Sequence, residues 1–155
     1  MGRYYNTNNG REGKFMFGVQ PSDDAGHMGM HEQEPTSITY YADEDDEAKI
    51  KRRLNKQYDY LGIPVGERIY YCKDDQEMMD YEDRVLHDKV FETVEDTPEV
   101  RKRFGKETPW SSGKEGYLDF EISQGRCLAL ARIRLALIIL SDIQDNGYCE
   151  LEAEL

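Results

Sequence analysis

Hydrophobic and polar positions follow two rhythms along this chain. Tyr117-Leu118-Asp119-Phe120-Glu121-Ile122 changes character at nearly every residue, as a strand with one buried face does. Ser123 follows as a helix N-cap. Residues 124–145 then place Leu128, Leu130, Ala131, Ile133, Leu135, Leu137, Ile139, Leu140 and Ile143 around most of a helical circumference. A helix so apolar predicts burial on several sides, against a sheet plus another helix or a second subunit. Asn146-Gly147 ends it, and 148–155 reads as an amphipathic strand whose Glu150, Glu152 and Glu154 are expected to face water and guard a sheet edge.

Upstream, Ile50, Leu54, Tyr58 and Leu61 fall near one face of a helix predicted over 46–61, which Gly62 stops. Strands are predicted at 14–19, 37–41 and 68–72, where aromatic and β-branched residues concentrate. A turn-rich loop is expected over 20–31. An acidic segment, 75–90, reads as helical, with Met78, Met79, Val85, Leu86 and Val90 as an apolar side of imperfect period. The expected architecture is a single α+β domain over 13–155 after a flexible 1–12, with a less regular region around 91–116. Its mixed, mainly antiparallel sheet of four to five strands packs against the long apolar C-terminal helix and one or two shorter helices.

Charge changes this picture most. The 155 residues hold 32 Asp and Glu against 20 Lys and Arg, a formal charge of −12. Much of it lies in Asp43-Glu44-Asp45-Asp46-Glu47 and in 74–99, where carboxylates far outnumber Arg84 and Lys89. Such a surface repels nucleic-acid phosphates and anionic membranes and steers the protein towards basic partners. Part of the first run also complements the dipole of the helix that it precedes. Arg101, Lys102, Arg103, Lys106 and Lys114 form a basic island that can answer the acidic helix in cis, answer it across an oligomer, or lie in a solvated loop. Eleven tyrosines against five phenylalanines suit the rim of a core or a binding face. Cys72, Cys127 and Cys149 are widely spaced and lack CxxC. With no apolar targeting segment at the start, they predict reduced thiols in the cytoplasm. Arg132 and Arg134 interrupt the strongest apolar stretch, which argues against a membrane span.

Candidate chemistry is sparse. His27 and His31, with Asp23 and Asp24, are residue types able to coordinate a divalent ion, but their spacing is not HExxH and a polar loop accounts for them. Cys127 sits near the start of the long helix, where the dipole favours a thiolate, yet no histidine is close in sequence. Arg126 could serve an anion at that helix start. Arg132 and Arg134 must snorkel, pair with carboxylates such as Asp119 or Glu121, or line an anion pocket with nearby tyrosines. No cofactor is implied, and no catalytic residue is assigned.

The leading expectation is a small non-enzymatic acidic protein that engages and inhibits a basic or nucleic-acid-binding protein, with carboxylates imitating phosphates. The binding residues expected are Asp43, Glu44, Asp45, Asp46, Glu47, Asp75, Glu77, Asp80, Glu82, Asp83, Tyr40 and Tyr41, with no direct binding of nucleic acid. Two alternatives stand beside it. One is a small-molecule or metal-dependent binder or enzyme using the 23–34 loop or the arginines of the last helix; the other is a homo-oligomeric structural accessory protein, dimerising through the sheet or the long helix. The opening, with Gly13-Lys14-Phe15-Met16-Phe17 and Gln20-Pro21-Ser22-Asp23-Asp24, resembles uncharacterised viral reading frames. That resemblance implies an accessory or counter-defence product and carries over no activity or site residue.

Overall fold

The computed structural model describes residues 3–7, 12–15, 24–33, 39–104, 110–111 and 114–153. In chain order these form β1 (Arg3–Thr7), β2 (Glu12–Phe15), α1 (Asp24–His27), β3 (His31–Gln33), β4 (Thr39–Asp43) and α2 (Glu47–Leu61). Then come α3 (Asp75–Tyr81), α4 (His87–Val90), β5 (Phe91–Glu95), α5 (Pro98–Phe104), β6 (Trp110–Ser111), β7 (Tyr117–Glu121), α6 (Gln124–Asn146) and β8 (Tyr148–Ala153). Short 3-10 turns lie at Glu44–Asp46 and Val65–Glu67, and a π-helical stretch, Glu82–Leu86, joins α3 to α4.

The strands make two antiparallel sheets, one of five strands in the order β2-β1-β8-β4-β3 and one of three in the order β5-β7-β6. The expectation of a single sheet is thereby corrected, and α6 supplies the reason. Strand β7 leads directly into this helix and β8 leaves it, so its length of about 35 Å carries the chain from one sheet to the other. Its ends are set locally, as the sequence predicts. Ser123 accepts a hydrogen bond from the Arg126 backbone N–H at 3.1 Å, and Gly147 takes the left-handed conformation, φ 85°.

Helix α6 packs against α2, α4 and one face of the five-stranded sheet. Elements of its own chain therefore enclose it, and its apolarity does not by itself call for a second copy. Helix α2 turns Ile50, Leu54, Tyr58 and Leu61 inwards, and Tyr40, Ala42, Cys149 and Leu151 do the same from β4 and β8. Each large aliphatic side chain so buried contributes about 1.5–3 kcal/mol. The alternate residues of those strands, Tyr41, Asp43, Tyr148 and Glu150, are half-buried on the opposite face.

Several segments differ from the sequence reading. Arg3–Thr7, expected within a flexible lead, is a strand paired on both sides. Strand β8 lies in the middle of its sheet, so Glu150 guards no edge; residues 154–155, like 16–20 and 34–38, lie outside the described residues. The 20–31 loop includes α1 and leads into β3, while the irregular region around 91–116 contains β5, α5 and β6. Arg68–Cys72 runs outside any helix or strand, because side chains meet its polar groups: Tyr58 Oη donates to the Ile69 carbonyl at 2.7 Å, and Ser141 Oγ accepts from the Cys72 N–H at 2.9 Å. The imperfect period of 75–90 reflects the π stretch, which puts Tyr81 and Leu86, five residues apart, on the same buried side. Among the described residues no helix is long and apolar enough to cross a membrane.

Candidate functional site

Where β4 ends and the chain turns into α2, Asp43 takes an extended conformation and accepts a hydrogen bond from the Asp45 N–H at 2.9 Å. Asp46 returns the favour by accepting from the Asp43 N–H at 3.0 Å, a reciprocal capping box. Asp46 also receives His31 Nε2 at 2.7 Å. Partial burial opposes its charge, but the Asp43 N–H and His31 together hold its carboxyl below the ordinary value. Glu47 pairs with Lys51 one helical turn on, at 2.9 Å. Asp43 and Asp46 thus fix the turn, leaving Glu44 and Asp45 exposed.

The turn faces the C-terminal end of α6. Tyr41, Asp43, Glu44, Asp45 and Gly147 line an open recess of about 320 Å³. Beside it, the Tyr41 and Tyr148 rings stack with centroids 6.2 Å apart. The recess is electronegative for two separate reasons. Its side chains are carboxylates, and it sits at the negative end of a 23-residue helix whose last turn carries no basic residue. Asp142 and Asp145 deepen the effect; Asp142 holds Asn146 Nδ2 at 2.9 Å and Asp145 accepts from Tyr71 Oη at 3.1 Å. Desolvation and then the Asp43 carboxylate push the Tyr41 hydroxyl above its ordinary pKa. The Tyr41 ring, backed by Tyr148, and the lining carboxylates suit an ammonium or guanidinium group.

The other expected binding residues divide. Asp75, Glu77, Asp80 and Asp83 are exposed along α3 and the π stretch. Tyr71 and Cys72, bonded to Asp145 and Ser141, bring the approach to α3 to the same end of α6 as the recess. Tyr40 is buried in the core and presents no binding surface. Glu82 turns inwards and accepts two hydrogen bonds from Arg134, at 2.5 and 2.8 Å, so it too leaves the acidic face. The basic island does not answer α3 through its described ion pairs. Arg101 binds Asp96 at 2.7 Å, and Arg103 approaches Glu92 at 3.9 Å.

The arginines expected to line an anion pocket point to different partners. Arg132 Nε donates to Asp24 at 2.9 Å, Arg134 to Glu82, and Arg126 to the Lys89 carbonyl at 2.9 Å. Pairing is therefore the outcome for Arg132 and Arg134, though with Asp24 and Glu82 in place of Asp119 and Glu121, because residues two apart on a helix diverge by about 200°. Asp24, a metal candidate in the sequence, is fully buried against Arg132, and His31 is engaged by Asp46. His27 is exposed on α1, and Asp23 lies outside the described residues. Among the described residues no three His, Cys, Asp or Glu side chains gather to hold a metal ion. Burial, with Glu121 adding to it, pushes the Cys127 thiol up to about 12, opposite to the activation that its helix position suggested.

Two features escaped the sequence reading. Gly147 lines the recess and Tyr148 stacks on Tyr41 beside it, although Asn146-Gly147 signalled only a helix stop. A cluster of His87, Thr93 and Asp119 also forms, from residues that no local motif connects. Comparison with known protein families, curated proteins and solved structures found no match for this chain.

Proposed function

We propose that this protein is a non-enzymatic binding protein that takes a basic protein partner at the recess between the 43–45 turn and the end of α6. The observation that carries this reading is the coincidence there of exposed Glu44 and Asp45, stacked Tyr41 and Tyr148, and the negative end of a long helix lacking a cation in its last turn. A lysine or arginine entering the recess gains carboxylate contacts, the helix-end potential and an aromatic wall together. The exposed carboxylates of α3 extend the attraction and favour partners whose basic surface grips nucleic-acid phosphates. The three cysteines, all buried as thiols, suit a reducing compartment such as the cytoplasm.

Titration with an arginine-rich peptide, followed by calorimetry, tests the reading. Glu44→Gln with Asp45→Asn removes two exposed charges outside the capping box, each worth about 0.5–1 kcal/mol, and should weaken binding about 5–30-fold. Raising the salt should weaken the parent protein's binding steeply and that of the double variant less. Equal affinity for parent and double variant at low salt would remove the recess as the site.

A further inference from the structure

In β5 and β7 the buried side chains are Asp119 and Phe120, and Asp119 is a carboxylate with 6% of its side chain exposed. One of its oxygens accepts from Thr93 Oγ1 of β5 at 2.5 Å; the other faces Nε2 of His87, at the start of α4, at 2.8 Å. The second ring nitrogen, Nδ1, lies 3.4 Å from the Asp88 carboxylate. The Phe91 ring, its centroid 5.4 Å away, packs beside the imidazole, which retains 27% exposure.

Both nitrogens of this ring therefore face carboxylate oxygens. A neutral imidazole has one N–H. Protonated at Nε2, it supports Asp119 but turns a bare lone pair towards Asp88. Protonated at Nδ1, it deprives the buried Asp119 of a donor. The imidazolium alone satisfies both contacts. The groups that the structure places against the ring are Asp119 from β7, Asp88 from α4 and the neutral Phe91 ring of β5, while the Thr93 hydroxyl serves the other Asp119 oxygen. From α6, the Arg126 guanidinium goes to the Lys89 carbonyl instead.

The three-stranded sheet meets the body where β7 runs into α6 and β5 leaves α4. The main hydrophobic core extends to Val90 and touches Phe91, but it does not include Phe120. Backbone continuity, the Ile122 N–H to Val90 carbonyl bond at 2.9 Å and the approach of Glu121 to Cys127 also join the two. A small sheet at the margin of the main core can open locally while the body stays closed.

We propose that His87, carried as an imidazolium between Asp119 and Asp88, is a proton-dependent latch that fastens the β5-β7-β6 sheet to the body of the protein. Loss of its proton lets the sheet open locally while α2 and α6 stay closed. Desolvation works against the charged ring, but the hydrogen bonds to Asp119 and Asp88 prevail and raise its pKa above the ordinary value. The latch is thus complete below the open-state value of about 6.5 and is lost as pH rises through the higher closed-state value.

Two measurements on the full chain decide the matter. In an NMR titration the His87 ring should show a midpoint above about 6.5, and Asp88→Asn, an exposed change that leaves the core intact, should lower it. In hydrogen exchange corrected for intrinsic rates, the Val94 and Phe120 amides should open about tenfold more per pH unit above about 6.5 and level off beyond the ring's midpoint. The Leu137 amide in α6 should not follow. His87→Gln, which keeps an N–H donor for Asp119 but cannot titrate, should abolish the pH dependence. A ring midpoint at or below the ordinary value, or β5 and β7 exchanging in step with α6 at every pH, would overturn the latch.

Discussion

Replacing Arg132 with Met is expected to lower the free energy of unfolding by about 3–5 kcal/mol, measured by urea denaturation at neutral pH. Arg132 Nε donates to Asp24, whose side chain is 0% exposed. Removing the guanidinium breaks one side of a buried ion pair, and losing one partner of such a pair carries a cost of this order. The loss is large against the total of about 5–15 kcal/mol typical of a folded domain. It should be accompanied by release of α1, which Asp24 begins. A decrease under about 1 kcal/mol would show that water reaches Asp24 and that the pair is a surface contact.

The second large effect is expected at Leu137. This residue is fully buried in α6 and belongs to the core shared with Ile50, Leu54 and Ile133. Leu137→Ala deletes side-chain volume where neighbours from two helices and a sheet cannot all close in, a loss of about 2–5 kcal/mol. Val65→Ala serves as the control: Val65 is 77% exposed, and its truncation should change stability by no more than about 0.5 kcal/mol. Thermal unfolding of both variants separates the two cases. A Leu137 variant as stable as its parent would mean that α6 is less enclosed than its packing indicates.

Local signals made α2 and α6 legible, whereas α1 and α5 lie where a loop and an irregular region were expected. Ile50, Leu54, Tyr58 and Leu61 announce the buried stripe of α2, and Gly62 its end, because helix period and left-handed stops are encoded within a few residues. The same holds for Ser123, the apolar run of α6 and Gly147. The sheets were less legible because a strand needs a partner. Arg68–Cys72 has a strand's composition but finds Tyr58 and Ser141 side chains where a ladder would be. Conversely, Arg3–Thr7 has few apolar residues and is a strand because β2 and β8 flank it.

The acidic recess was half visible. Asp43 to Asp45 and Tyr41 stood out in the sequence, but their value depends on the end of α6 lying opposite, about a hundred residues away in the chain, a proximity created by the β4–β8 pairing. The same distance hid the arginine partners: nothing around Arg132 points to Asp24, and nothing around Arg134 points to Glu82. The His87 cluster was invisible for a further reason. The π stretch resets the helical phase just before His87, so a regular helix drawn over 75–90 would aim this ring elsewhere.

The placement of β8 between β1 and β4 has a consequence for how the molecule forms during translation. Asn6 pairs with Glu152, so a nascent chain presents one half of this ladder long before the ribosome has made the other. Every other strand of this sheet is made before β8, so its central place is filled last. Pairing across so much of the chain carries its loop-closure cost before any contact repays it, which slows the closing of this sheet.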